Sequence, residues 1–272
     1  MIEAIHYEFM QNALFAGILI SIACGIIGTL VVVNRMVFIS GGIAHAAYGG
    51  IGIAFFFGIP PLLGTSLFSV FIALIIGTLT YRNKNRSDTI IGALWAAGMA
   101  LGIILIDLSP GYNVDLMSYL FGSILTVPFR DLWLLIVLDG VIILIAFFFY
   151  RDFVALSYDE EFASLQGVPV NLLYYLLLVL SSCVIVMTIR LVGLILVIAL
   201  LTIPTYLAEK ASRSLGWMMV FSGMLSILFT IAGLWLSYVL NVTSGAAIIM
   251  VATLVFIVSY GVDFLKINDY LA

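Results

Sequence analysis

The chain has no charged residue between Arg35 and Arg82, a stretch of forty-six positions. A second uncharged stretch covers 214–262. Such runs indicate membrane spans, because about 20 apolar residues already cross the hydrocarbon core of a bilayer as a helix. Charged residues make up 9% of the chain, against roughly 25% in a soluble domain. The sequence therefore predicts an all-α, polytopic membrane protein with no sizeable soluble domain.

Hydrophobic blocks separated by turns or short polar loops predict the individual spans. The blocks are 11–33, 42–58, 62–81, 89–106, 132–150, 171–189, 191–208 and 214–262, the last divided in two by Asn241 to Gly245. Residues 1–10 are predicted to form an amphipathic interfacial segment. The segment 116–127 is too short to cross and is predicted to be a half-helix. One transmembrane domain over 1–272, with eight or nine spans, is therefore expected.

The basic residues indicate the orientation. With nine crossings and the amino terminus outside, eight of the ten Lys and Arg residues face the cytoplasm, and only Arg130 and Arg190 do not. The net charge of −4, without a basic block, disfavours nucleic acid as a partner. Cys24 and Cys183 lie in apolar runs and are predicted to be buried small hydrophobes.

The one long polar loop, 151–170, is predicted to contain a cytoplasmic helix over 157–168. Ser157 and Glu160 have the spacing of a capping box, Glu161 adds a favourable charge to the first turn, and Gly167 followed by proline ends the segment. Such a helix is either a lid packed on the bundle or a docking helix. A docking helix would pass the movement of a soluble partner to the spans.

His45 is the one residue in its uncharged stretch that titrates near neutral pH. An ionisable group inside a membrane span indicates a functional site, although a single histidine is also common as a packed, hydrogen-bonded residue. Asp139 lies within 132–150 and has the same two interpretations, functional or structural. The glycines around His45 allow close helix approach; they are Gly41, Gly42, Gly49 and Gly50.

Four motifs follow one another along nearly the whole chain. They are Arg35-Met with His45 ten residues on, Tyr119-Leu-Phe-Gly-Ser-Ile-Leu125, Asp159-Glu-Glu-Phe-Ala-Ser-Leu-Gln-Gly-Val168, and Val192-Gly-Leu-Ile-Leu-Val-Ile-Ala-Leu-Leu-Thr-Ile-Pro204 leading to Ala208. Together they resemble the permease subunits of the metal-ion ABC transporter family, which take up zinc and manganese. The resemblance implies a homodimeric permease in the cell membrane that carries a divalent metal ion and binds no cofactor.

The resemblance also implies partners. A cytoplasmic ATP-binding subunit would hydrolyse ATP, since the chain has no Gly-x-x-x-x-Gly-Lys-Ser/Thr loop and is not itself an enzyme. An extracellular metal-binding protein would deliver the ion. Coupling to the ATPase is expected from the family-like residues of the cytoplasmic helix; these are Asp159, Glu160, Glu161, Phe162 and Gly167.

The metal site departs from the family pattern. In such permeases the second span usually has Asp-x-x-x-His, and here Gly41 replaces the aspartate while His45 is present. One neutral imidazole is a poor site for a divalent ion in low dielectric. Either a carboxylate such as Asp115 or Asp139 completes the site, or His45 of two subunits meet at a dimer axis, or the cargo differs. The predicted metal-binding residues are thus His45, Asp115 and Asp139.

Two other functions stay open at this stage. A secondary carrier driven by an ion or proton gradient would also use midplane carboxylates such as Asp139. An assembly protein without transport is the third interpretation, although the glycine-lined span with its histidine fits it poorly.

Overall fold

The structure, a computed structural model, describes residues 7–82, 86–109, 122 and 124–271, and in this part it contains helices and no strand. The helices are α1 (Glu8–Val33), α2 (Val37–Phe57), α3 (Pro61–Arg82), α4 (Ser87–Asp107), α5 (Phe129–Phe148), α6 (Tyr150–Tyr158), α7 (Glu160–Leu165), α8 (Val170–Val192), α9 (Leu194–Ala211), α10 (Leu215–Leu240) and α11 (Ser244–Leu271), with a 3₁₀ turn at Ile124–Thr126. All except α6 and α7 are long and apolar enough to cross a membrane, which gives nine spans in the described part.

The all-α, multi-span prediction is confirmed. The first span begins at Glu8, three residues before the predicted start. Most of the predicted interfacial segment, residues 1–6, lies outside the described residues, and so does most of the predicted half-helix 116–127.

Two helix ends follow from backbone chemistry. Gly58 ends α2 with φ +67°, a left-handed conformation that glycine adopts without steric cost, and Pro61 then starts α3. The boundary predicted near Arg190 lies three residues later: α8 includes Arg190, and Gly193, with φ +90°, separates α8 from α9. The side chain of Arg190 has a partner on α5, described below.

The centre of the bundle is formed by α1, α2 and α8, whose side chains are the most buried among the spans. α1 packs against α5, α8, α9 and α10, whereas α2 packs mainly against α3 and α4. Glycine permits the closest approaches. A Cβ at Gly25 would lie 2.6 Å from the Cα of Gly223 on α10, and one at Gly52 would lie 2.6 Å from the Cα of Gly102 on α4. Backbones therefore touch directly, as in other membrane helix pairs rich in small residues.

Candidate functional site

His45 lies on α2, partly exposed, at the side of the bundle where α2 packs on α4. Its Nδ1 is 3.0 Å from the carbonyl oxygen of Gly41, one turn earlier. Because a carbonyl only accepts hydrogen bonds, this nitrogen carries the proton and donates. In the neutral ring the other nitrogen, Nε2, then keeps its lone pair. The backbone thus selects the tautomer in which Nε2 can bind a cation.

The imidazole of His45 packs on the indole of Trp95 from α4. The ring centroids are 3.9 Å apart and the planes are inclined by 32°. The Trp95 N–H points to the sulfur of Met99 at 3.1 Å, and Phe38 lies beside the indole with a centroid distance of 6.5 Å. Sequence reasoning missed this aromatic wall. The available signal was a tryptophan in the middle of an apolar span, where its N–H needs a partner.

The position of the missing aspartate has room for a side chain. A Cβ at Gly41 would meet only Ile198 of α9, at an ordinary contact distance of 3.7 Å. The neighbouring Gly42 differs, since a Cβ there would collide with the side chain of Ile91 on α4. Gly42 is therefore required by packing, whereas packing does not require Gly41.

Asp139 is on α5, 4% exposed, and neither carboxylate oxygen has a hydrogen-bond partner among the residues that the structure describes. Its surroundings include the Cys24 thiol of α1, which lies beside the hydroxyl of Thr188 on α8. Buried polar atoms without a partner are rare in proteins and call for a specific explanation. Asp139 is thus held in a small polar spot between three apolar helices.

The structure does not bring His45 and Asp139 together within one chain. α2 and α5 do not pack closely on each other, because α1 and α8 lie between them. Within the described part of the chain, no three His, Cys, Asp or Glu side chains are grouped as metal ligands. Asp115 lies outside the described residues. The metal-binding roles of all three residues stay predictions.

The loop predicted to be cytoplasmic contains two short helices instead of one. Ser157 belongs to α6, and the chain leaves helical geometry at Asp159, with φ −156° and ψ 107°, before α7. The prediction that Ser157 caps the helix is wrong, because the Asp159 carboxylate accepts the backbone N–H of Phe162 at 3.0 Å. Gly167 ends the segment with φ +84°, where the sequence places the end.

Most of α7 faces away from the bundle. Ala163 is fully buried, but Phe162 is 57% exposed and Leu165 is 86% exposed. Glu160 and Glu161 line a surface cavity of about 760 Å³ beside these apolar side chains. Asp159 is also exposed. An exposed apolar pair bordered by acidic groups is typical of a surface that binds another protein, and it does not fit a lid that buries its apolar face.

The segment before α7 is nevertheless anchored. Phe153 of α6 is fully buried, and the amide of Asn34 donates a hydrogen bond of 3.2 Å to the Ser157 hydroxyl. Asn34 also donates to the Leu30 carbonyl at 2.7 Å, at the turn between α1 and α2. The segment before α7 is therefore joined to the turn before the helix that carries His45.

At the opposite end of the bundle, Asp131 of α5 and Arg190 of α8 form an ion pair, with 3.0 Å between oxygen and nitrogen. The Asp131 side chain is 2% exposed, and the pair lines a pocket of about 520 Å³ together with Arg130 and the Pro60-Pro61 turn. The two arginines predicted to face outside thus share one pocket. Sequence reasoning did not identify Asp131 as their partner, since the ion pair joins residues far apart in the chain.

Comparison with known proteins adds three relationships to this geometry. Residues 6–263 match the family model described as the ABC 3 transport family. An uncharacterized membrane protein of Synechocystis sp. is 50% identical over 259 residues, which cover 95% of this chain and 92% of that protein. The manganese transport system membrane protein MntC of Halalkalibacterium halodurans is 34% identical over 258 residues, covering 95% and 88%.

A solved structure gives the same picture for the fold. A chain of PsaBC from Streptococcus pneumoniae, determined in complex with Fab, superposes with a TM-score of 0.85 at 32% identity, covering 95% of this chain and 94% of that one. The likeness spans nearly the full length of both chains. The fold and the order of the helices are therefore shared by the two chains.

Proposed function

Because the chain belongs to the ABC 3 transport family, we propose that it is the permease subunit of an ATP-driven importer of a divalent metal ion, zinc or manganese. The name of the MntC relative favours manganese. A separate cytoplasmic subunit hydrolyses the ATP, and an extracellular metal-binding protein delivers the ion. The chain itself forms the translocation pathway, and the ATP-binding subunit moves its helices.

The observation that carries this proposal is α7. It is a capped helix outside the spans whose apolar side chains, Phe162 and Leu165, are exposed. A gradient-driven carrier, the alternative function, has no need of such a surface. A motor that moves spans from outside needs a rigid element to hold, and a short helix fixed at both ends by Asp159 and Gly167 is such an element.

The passage runs along the side of α2 that carries His45. The lone pair on Nε2 makes the imidazole a ligand for a passing cation, and the indole of Trp95 limits the orientation of the ring. A single imidazole is an incomplete site, so the remaining ligands come from elsewhere. In the proposed homodimer, α2 of each copy faces the axis and two imidazoles face one another, with Asp115 as a further candidate.

Coupling follows the chain from α7 to α2. When the ATP-binding subunit moves α7, the segment around Ser157 moves with it, because Asp159 joins α6 to α7 without a flexible linker. The hydrogen bond from Asn34 passes the displacement to the turn before α2. Access to His45 then changes from one side of the membrane to the other.

Reconstitution tests the proposal. The purified chain is placed in proteoliposomes with and without its ATP-binding subunit, and uptake of radioactive manganese and zinc is measured with ATP inside. Uptake that requires the subunit and ATP is the expected result. Uptake by the chain alone, driven by an imposed proton or sodium gradient, would replace this proposal with the secondary carrier.

A further inference from the structure

A groove of about 830 Å³ opens between α5 and α10, with α1 as its floor. Its walls are apolar and come from three helices; examples are Ile26 of α1, Ala146 and Phe147 of α5, and Val220 and Met224 of α10. At one end the lining becomes polar, with Tyr150 and Arg151. The groove is therefore an elongated apolar slot with a positively charged arginine side chain at its end.

The slot follows from uneven helix packing. α1 and α10 approach closely at Gly25 and Gly223, and α5 packs on α1, but α5 and α10 do not pack closely on each other. The Tyr150 hydroxyl accepts a hydrogen bond of 3.0 Å from the backbone N–H of Gly216, which joins the two walls at the polar end. Beyond this link the two walls stay apart and leave the groove open.

The side chains at the polar end are of the types that are enriched at the level of lipid headgroups. Arg151 is exposed and forms no ion pair with the described residues. Trp217, one residue after Gly216, is 59% exposed. Tryptophan and tyrosine are enriched at the membrane–water interface. An arginine at the interface is attracted to anionic lipid headgroups. A free guanidinium beside an apolar slot is complementary to one molecule with a phosphate and a long chain.

We propose that the groove binds an anionic phospholipid of the cytoplasmic leaflet, with one acyl chain along the slot and the phosphate on the guanidinium of Arg151. The choice of leaflet rests on the orientation in the proposed function. The lipid fills the gap between α5 and α10 and so sets the distance of α5 from the rest of the bundle.

A helix of a second copy fits the groove less well. A helix is roughly 10 Å across, so about 830 Å³ would enclose only about two turns of it. The groove also lies away from the proposed dimer side, since neither α2 nor α4 packs closely on α5 or α10. A flexible chain can fill a narrow slot that a helix would only partly enter.

Native mass spectrometry of the purified full chain tests this inference. The protein is taken from vesicles of equal parts palmitoyl-oleoyl phosphatidylglycerol and palmitoyl-oleoyl phosphatidylcholine, and the retained lipids are counted. Arg151→Gln should lower the preference for phosphatidylglycerol about fivefold, the usual contribution of one arginine at an anionic surface. Arg213→Gln is the matched control, because Arg213 is an exposed arginine near the same end that does not line the groove. Ala146→Phe, which fills the slot, should remove the retained lipid altogether.

Three results would overturn the inference. Equal lipid preference in Arg151→Gln and Arg213→Gln would remove the headgroup contact. Unchanged lipid retention in a folded Ala146→Phe variant would remove the acyl chain. A change from dimer to monomer in that variant would make the groove a protein interface. These measurements use no metal, ATP or ATPase, so they do not depend on the transport result, and protease access to 151–170 in sealed vesicles checks the orientation separately.

Discussion

The amide of Asn34 donates a hydrogen bond to the hydroxyl of Ser157 over 3.2 Å, and so joins the turn before α2 to the segment before α7. The two residues are 123 positions apart in the chain. Neither residue belongs to α7 or to α2, but each lies within a few residues of the start of one of them.

Ser157→Ala should weaken this connection. The loss of one hydrogen bond lowers the free energy of unfolding by about 1 kcal/mol, while ATP hydrolysis continues and metal uptake falls. The ratio of ions imported to ATP hydrolysed is the measurement. Adding Asn34→Ala to it should cause little further loss, because both changes break the same bond. Ser109→Ala, which removes a hydroxyl that donates to the nearby Leu105 carbonyl at the end of α4, is the control. Additive losses in the double variant would contradict the link.

Glu161→Lys should uncouple the ATPase. The exposed carboxylate borders the apolar residues of α7, and reversal of its charge should weaken binding of the ATP-binding subunit roughly tenfold, about 1.4 kcal/mol. The measurement is the stimulation of ATP hydrolysis by the permease. Asp88→Lys is matched, since Asp88 is also an exposed acid in the first turn of a helix. Equal effects of both variants would mean that α7 is not the docking surface.

His45→Phe should abolish most metal uptake without loss of protein from the membrane. Phenylalanine keeps the ring contact with Trp95 but has no nitrogen for a metal, and loss of a ligand lowers affinity roughly tenfold or more. Uptake of radioactive manganese and the amount of protein in the membrane are measured together. Trp95→Phe keeps the imidazole and should retain more uptake than His45→Phe. Full uptake in His45→Phe would remove the imidazole from the passage.

Gly41→Asp should strengthen metal binding. The new carboxylate lies one helical turn from His45, and only Ile198 is near its Cβ, so the change is tolerated by packing. An added anionic ligand should tighten manganese binding about tenfold, or about 1.4 kcal/mol. Calorimetry with manganese on the purified protein measures this affinity.

Two glycine variants control for that experiment. Gly92→Asp adds the same charge to α4 at a position with open space around its Cβ and should leave manganese affinity unchanged. Gly42→Ala should destabilise the fold by about 2 kcal/mol, since its methyl group meets Ile91. An unchanged affinity in Gly41→Asp would show that position 41 does not face the bound ion.

Asp139→Asn should lower uptake while the protein stays folded, because the amide keeps the shape and loses the charge. Asp139→Leu should raise the free energy of unfolding by about 1 kcal/mol, since neither carboxylate oxygen has a partner among the described residues. Lower uptake together with higher stability would identify a group retained for function. A folded Asp139→Asn variant with normal uptake would make the carboxyl structural.

The spans could be predicted because each is a long apolar block with few charges, and lipid leaves such a block no other structure. The start of α7 could not be predicted from the sequence. Ser157 and Asp159 are both good caps in sequence, and the choice depends on the burial of Phe153, which holds Ser157 inside α6. Local preference thus gave way to a tertiary contact.

The candidate site was predictable only in part. His45 stands out as an ionisable group in an apolar stretch, but its indole neighbour, Trp95, is on another helix and no spacing rule connects them. The same holds for Arg190, whose ion-pair partner, Asp131, is on α5. Contacts between distant segments are set by helix packing, which a single sequence considered alone does not specify.

The backbones of α2 and α4 touch at Gly52 and Gly102, and α4 packs on little else besides α2 and α3. No flexible side chain separates the two backbones at this contact, so we expect the two helices to tilt together. The imidazole of His45 and the indole of Trp95 would then move as one rigid unit. A transported ion would then bind in the same surroundings, whichever side of the membrane it entered from. Discrimination between metals would take place at this one site.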